Sequence, residues 1–382
     1  MACTVHQPRA DLLPFFNRIL LLGPGGRMLL EGSAEEFRER LRPCGVHLPP
    51  KANVVDAAID LIADAGVAER LWESWLVGAA ERVSSLSRRA AATEQTPTML
   101  THSCPWHKAF PILLTRSLLN FVRQPAMIWA RCAQVVLYAI VLVPTYAPLG
   151  RSQASITSRI GLLYQSLGVL FAGTLNNLAV FPIERDVLLR ESADGLYSVA
   201  PFFATYSIFE MALEVLSTTI AGVTIVQATG LRGSLGPQMT FVAVMFAALV
   251  NGESIGIILN SVVIHPGFSV SMINALCAVL QIIAGFMANS LPAPLSAVNH
   301  LSPQLYACRA LATSQFTEDE TFDCDGPSPI CLRTGPDVLA MLGLSDTGSV
   351  GLNLLALAIC CLAYRALSFV VLRYQVARQI RL

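Results

Sequence analysis

The chain has 382 residues, 54% of them hydrophobic and 14% charged, with a formal net charge of zero. Soluble globular proteins carry roughly 25% charged residues, so the deficit points to a bilayer environment. The balanced charge excludes the basic footprint of a nucleic-acid binder, and the ten cysteines are mostly dispersed, without the spacing of a metal site.

The first hundred residues read as ordinary soluble sequence, with charge throughout, and the membrane composition begins near Pro125. Met1-Ala2-Cys3-Thr4-Val5-His6 lacks the basic segment and apolar core of a secretory leader. Ala2 to Gln7 reads as the end of a buried strand broken by Pro8. The apolar run Ile19-Leu20-Leu21-Leu22 predicts a strand, Gly23-Pro24-Gly25-Gly26 a turn, and Arg27 to Gly32 a second short strand. Residues 66–104 form a mixed linker with Arg82, Arg88 and Arg89 among alanines and serines. Residues 105–124 predict an amphipathic helix in the membrane interface, with Ile112, Leu113, Leu118, Leu119 and Val122 alternating with Arg116 and Arg123.

From residue 125 onward apolar runs dominate, and six spans are expected near 126–148, 159–181, 204–229, 239–264, 269–290 and 350–372. Arg116, Arg123, Arg185, Arg190, Arg373, Arg378 and Arg381 place both termini on the cytoplasmic side, against Arg151, Arg232, Arg309 and Arg333 outside. Arg131, Glu210, Glu214 and Glu253 lie within apolar runs, where an unpaired charge costs at least a few kcal/mol. Two readings stand side by side for them: a polar relay or substrate-facing site, and helix–helix pairing. Interfacial placement or pairing is favoured for Arg131 and Glu210, while Glu253 is evenly balanced. Gly252 and Gly256 beside Glu253 suggest a close helix contact.

Between the second and third runs stands a charge-rich stretch, residues 182–203. Pro182 is expected to end the incoming span, since it lacks an amide N–H. Glu184 to Arg190 then predicts two helical turns with Ile183, Val187 and Leu188 on an apolar flank and Asp186/Arg190 as an i,i+4 pair. On spacing alone, an ordinary juxtamembrane loop and a short force-transmitting helix are both open.

The wording of that stretch carries a resemblance. Phe181-Pro182-x-Glu184-Arg185, then Leu189-Arg190-Glu191, then Gly195-Leu196-Tyr197-Ser198, resembles the intracellular loop between the second and third spans of G-subfamily ABC transporters, the white and pleiotropic-drug-resistance type. Thr115 to Pro125 is similar to that family's connecting helix, and His6-Gln7-Pro8 with the following strands resembles the switch-histidine region near the end of its nucleotide-binding domain. Leu301-Ser302-Pro303-Gln304-Leu305-Tyr306 resembles its re-entrant helices after span five, and Cys331-x-x-Thr334-Gly335-x-Asp337-Val338-Leu339 its outer loop, residues 291–349.

The resemblance implies a predominantly α, polytopic membrane protein with six transmembrane helices of the ABC-2 exporter fold (residues 125–382), preceded by a C-terminal remnant of an α/β nucleotide-binding domain (residues 1–65). It makes Glu184, Arg185, Asp186, Arg190 and Glu191 a coupling helix, and His6 a catalytic switch histidine that works only within a complete ATPase domain. It also places Glu210 where the family has a glutamate in its third span. Phe171, Asn176 and Asn177 in span two and Met272, Asn274 and Leu276 in span five are the substrate-path candidates by position. Cys324 and Cys331 are expected to pair on the oxidising side, with two free thiols as the open alternative.

ATP with Mg is the cofactor of the complete family member. This chain has no Gly-x-x-x-x-Gly-Lys-Ser/Thr loop and no Ser-Gly-Gly signature, and is expected to bind and hydrolyse none alone. The implied partners are a second G-subfamily half-transporter (homo- or heterodimer), membrane lipids and a hydrophobic or amphipathic small molecule. The rival readings are a catalytically incompetent regulatory partner and a permease served by a separate ATPase chain.

Overall fold

A computed structural model describes residues 4–5, 8–9, 12–23, 26–42, 53–64, 66–73, 75–76, 104–263, 266–287, 291–324 and 331–380. The chain divides into two compact units, Met1–Met99 and Leu100–Leu382. His6 and most of the predicted linker lie outside the described residues.

In the first unit, β1 (Ile19–Leu22) pairs antiparallel with β2 (Met28–Gly32), Leu21 opposite Leu30. Ser33 caps α1 (Ala34–Leu41) through a capping box with Glu36, which satisfies amides that the first helical turn leaves open. Asn53 caps α2 (Val54–Ile62) by accepting from the Val55 amide. Leu30, Phe37, Leu41, Val54 and Ala58 close into a small core between these elements.

The second unit is helical: α3 (Trp106–Arg123), α4 (Pro125–Tyr146), α5 (Gln153–Leu167), α6 (Val169–Ala193), α7 (Val199–Thr229), α8 (Leu235–Val262), α9 (Pro266–Ile282), α10 (Ala293–Asn299), α11 (Pro303–Gln315), α12 (Gly335–Met341) and α13 (Val350–Ile380). Among the described residues five helical stretches are long and apolar enough to cross a membrane. The fifth predicted span, α9, has 17 residues and so rises about 25 Å, less than the roughly 30 Å of hydrocarbon. The expected 269–290 span overran because Ile283, Ala284 and Phe286 are apolar for a different reason: they are buried in the protein core, past the helix end, where Gly285 takes a φ of 121°. Hydropathy does not tell a protein interior from lipid.

The second expected span is also redrawn. It is two helices, α5 and α6, meeting at Gly168. Pro182 does not end the second of them: α6 continues through it to Ala193. A proline inside a helix costs about 3 kcal/mol, but Phe181 and Leu188 on either side are fully buried, and each such side chain contributes about 1.5–3 kcal/mol. On α3, Ala109 and Leu113 are buried, while Ile112, Leu118, Leu119 and Val122 stay exposed as an apolar stripe.

Among the five membrane-length stretches the most buried is α8, and its closest partner is α6. A Cβ on Gly252 would sit 2.1 Å from the Leu170 carbonyl oxygen, and one on Gly173 would sit 2.2 Å from that of Leu249. A Cβ on Gly256 would meet Asn177 Cβ at 2.8 Å. Backbones this close tolerate hydrogen alone, as in small-residue seams between membrane helices. Gly252→Ala is therefore expected to destabilise the fold by about 1–3 kcal/mol through overpacking. Gly236→Ala, on the same helix with nothing within 4 Å of its Cβ, is expected to be neutral or stabilising by up to about 1 kcal/mol. Denaturant unfolding of the purified variants in a mild detergent checks this, and equal stabilities would remove the seam.

Candidate functional site

The predicted coupling stretch is the end of the long helix α6. Arg185 on α6 donates from Nη1 to the Asn260 carbonyl at 2.5 Å, placing a cation on the last turn of α8, where the helix dipole and free carbonyls favour it. Arg185 also meets Asp186 at 3.1 Å. The expected Asp186/Arg190 charge pair is not made: Arg190 Nε donates to the Asp186 backbone carbonyl at 3.2 Å, because the Asp186 carboxylate is taken by its neighbour. Ile183, expected on the apolar flank with Leu188, is exposed, while Leu188 is buried.

Glu191 ties this helix to α3. Arg116 Nη1 lies 2.7 and 2.9 Å from its two oxygens, and the Tyr197 hydroxyl donates to the same carboxylate. Burial and the adjacent Glu191 carboxylate push the Tyr197 hydroxyl well above the ordinary tyrosine range, so it remains a donor. Upstream of α3, the Cys104 amide donates to the Leu196 carbonyl at 3.0 Å, so both ends of the connection are pinned to the loop after α6.

A second cluster lies within the bundle. Arg131 on α4 pairs with Glu210 on α7, and Arg365 on α13 meets Glu253 on α8 at 2.8 Å. Arg365 also stands over the Phe203 ring at 5.8 Å, a cation–π contact. Glu214 shares a small cavity with Arg131, Glu210 and Glu253, and its Oε2 has no hydrogen-bond partner among the described residues. Asn177 accepts from Asn260 Nδ2 at 2.9 Å and donates to the Tyr206 hydroxyl at 3.2 Å, linking α6, α7 and α8.

These contacts divide the substrate-path candidates. Asn177 is buried and committed to the α6–α8 seam, and Asn176 lines the charged cavity. Phe171 packs against the Leu170, Ile255, Ile273 and Cys277 cluster. Met272, Asn274 and Leu276 are exposed on α9. Cys324 and Cys331 are bridged, with Cα atoms 5.9 Å apart. Their segment is held by Gln153, which donates to the carbonyls of Asp323 and Leu332 at 3.1 and 2.9 Å. Sequence reasoning passed over Arg365, Arg116 as the partner of Glu191, and Tyr206. For Arg365 a signal was present: a lone arginine deep in the last apolar run.

Residues 108–316 match the family model described as ABC-2 type transporter. The chain belongs to the ABC-2 type transporter family. It is 27% identical over 97% of its length to an ABC transporter ATP-binding protein/permease of Saccharomyces cerevisiae, covering 30% of that protein. It is 24% identical to ABC transporter G family member 22 of Dictyostelium discoideum, with 97% of this chain and 61% of the relative covered. With ATP-binding cassette sub-family G member 5 of Homo sapiens the identity is 25%, covering 87% of this chain and 54% of the relative. The chain thus spans between about a third and three fifths of these relatives' lengths. The G-family names among them support a G-subfamily ABC half-transporter.

The ABC-2 match contains the coupling stretch and Arg131, Glu210 and Glu253; Arg365 lies beyond it on α13. Removing one member of a buried pair strands the other, at a cost of about 3–5 kcal/mol. Arg365→Met is therefore expected to destabilise this ABC-2 bundle by about that much, and the double variant Arg365→Met/Glu253→Gln by less than the sum of the singles. A double-variant cycle on unfolding midpoints in detergent tests the pair, and additive losses would dissolve it.

Proposed function

We propose that this chain is the membrane half of an ATP-driven exporter that moves a hydrophobic or amphipathic molecule, working as a homo- or heterodimer with another G-subfamily half. The observation carrying this reading is α6 running unbroken from the bundle at Val169 to Ala193, so that a push on Glu184–Glu191 is delivered along one rigid rod. The Arg116–Glu191 pair extends that rod to α3. In this reading the α3 arginines and the coupling stretch face the cytoplasm with both termini, and the Cys324–Cys331 loop faces outside. The exposed Met272, Asn274 and Leu276 on α9 support a second half seated there, since an amide on an apolar helix gains from a protein partner.

Residues 1–65 read as the end of an ATPase domain carrying His6. Leu20 and Leu22 support this, because they are 56% and 58% exposed on a two-stranded sheet that is marginal alone. Among the described residues the strand-to-helix connection does not fit a nucleotide by itself: β2 passes to α1 through Ser33 alone, leaving no room there for a phosphate-cradling loop. No hydrolytic step is therefore derived from this chain, and ATP with Mg belongs to the complete assembly.

Reconstitution into liposomes with an ATPase-competent G-subfamily half tests the reading, following ATP-dependent movement of a fluorescent phospholipid and a fluorescent sterol. The pair should transport where the partner alone does not. Arg116→Ala should leave ATP hydrolysis and assembly intact while weakening coupling by about 0.5–2 kcal/mol, roughly twofold to thirtyfold in transport per ATP. Co-purification of a pair that hydrolyses ATP without moving either probe would replace this reading with that of a regulatory partner.

A further inference from the structure

Within the second unit, α3, α4, α6 and α7 enclose a cavity of about 120 Å³. It lies beside the coupling stretch, apart from the α9 face. Its charged lining residues are Arg116, Arg131, Glu184 and Glu210. Arg116 is committed to both oxygens of Glu191, and Arg131 is committed to Glu210. The remaining charge on the wall is Glu184, partly buried on α6, whose carboxylate has no hydrogen bond or ion pair among the described residues. Glu191 stands behind Arg116 and outside the wall, so each arginine is answered by its own acid and Glu184 is the wall carboxylate left over.

Four aromatic rings stand in the rest of the wall, beside Leu113, Ile128, Val180 and Leu213. Phe121 on α3 and Phe209 on α7 approach to 5.7 Å between ring centroids, and Phe202 stacks on Tyr206 at 6.3 Å. Asn120 and Gln124 add amide carbonyls on the α3 side. An uncompensated carboxylate among ring faces is the chemistry that recognises a cation with an apolar body. The carboxylate supplies a charge-assisted hydrogen bond, and the rings supply cation–π attraction in a partly desolvated space. A single free carboxylate matches one positive charge. An anion would face Glu184.

We propose that this cavity is a binding site for a small lipophilic ammonium ion, with its nitrogen on Glu184 and its apolar body against Phe121, Phe202 and Phe209. Its occupant would brace α3 against α6 and α7, at the junction held by Arg116 and Glu191.

The test uses three probes of one shape on the full chain in a neutral detergent at neutral pH: phenylbutylamine, phenylbutanol and phenylbutyrate, with binding read by saturation-transfer NMR and calorimetry. The amine should bind about tenfold or more tighter than the alcohol, a difference of about 1.4 kcal/mol, and the acid should bind weakest. Glu184→Gln should abolish the preference for the amine. Phe209→Leu, which keeps the apolar volume and removes a ring face, should weaken the amine about threefold and leave the alcohol unchanged. Equal binding of amine and alcohol to the unaltered chain would overturn the proposal without recourse to any variant. So would a preference for the amine that survives Glu184→Gln. Neither nucleotide nor transport enters the readout, so the result stands apart from the exporter reading.

Discussion

The close approach of α6 and α8 sets the terms for the rest of the bundle. Gly173 and Gly252 each offer hydrogen where a methyl would lie about 2 Å from a carbonyl oxygen of the facing helix. Lipid is as apolar as leucine, so no hydrophobic force drives two such helices together, and packing with short polar contacts has to hold them. The glycines permit that packing, and Thr174, Asn177 and Asn260 in the same seam are buried side chains made affordable by it. Asn177 and Asn260 bond to one another across the gap at 2.9 Å. With larger residues at the glycines, the two amides would be held out of reach.

The same seam explains how the coupling stretch is positioned. Once α6 is locked against α8 over several turns, its continuation past Pro182 has little freedom, and Arg185 is delivered onto the final carbonyls of α8. That contact closes the seam at its end. Beyond it, Glu191 meets Arg116 and Tyr197, so that α3, α6 and the loop leading into α7 meet at one carboxylate. A displacement applied there has two ways out, along α6 into the glycine seam and along α3. Both are helices.

Much of this was legible in the residues. Length of apolar run marked most of the membrane helices, and the spacing of Gly252 and Gly256 beside Glu253 marked a close contact. The wording around Pro182 pointed to the family, and residues 108–316 match its model. What misled were cases where a local rule met a tertiary override. Pro182 breaks isolated helices, yet Phe181 and Leu188 are buried strongly enough to carry α6 through it. Ile283 to Phe286 reads as the end of a span because protein core and lipid select the same side chains. Asn177 reads as a path-lining amide because sequence gives its depth in the helix and leaves its azimuth open; the azimuth points it at Asn260. Arg365 was passed over because its partner, Glu253, is remote in sequence and the pairing exists only once α13 packs on α8.

That last pairing shows what buried charge contributes here. Both α4 and α13 present broad apolar faces outward: Trp129, Ile140 and Val141 on one, Leu355, Ile359 and Leu362 on the other. A smooth apolar face fixes neither the rotation nor the depth of a helix in lipid. A buried ion pair fixes both, since a turn of rotation or a slip along the axis leaves two charges unpaired. Each outer helix has one such pair to an inner helix, Arg131 to Glu210 and Arg365 to Glu253. On α13 the anchor is doubled, because Asn251 on α8 donates to Cys361 Sγ at 2.9 Å, one helical turn from Arg365. Two directional contacts a turn apart define a register. The glycine seam makes α6 and α8 rigid, the Arg365–Glu253 pair keys α13 to α8, and the Arg131–Glu210 pair keys α4 to α7.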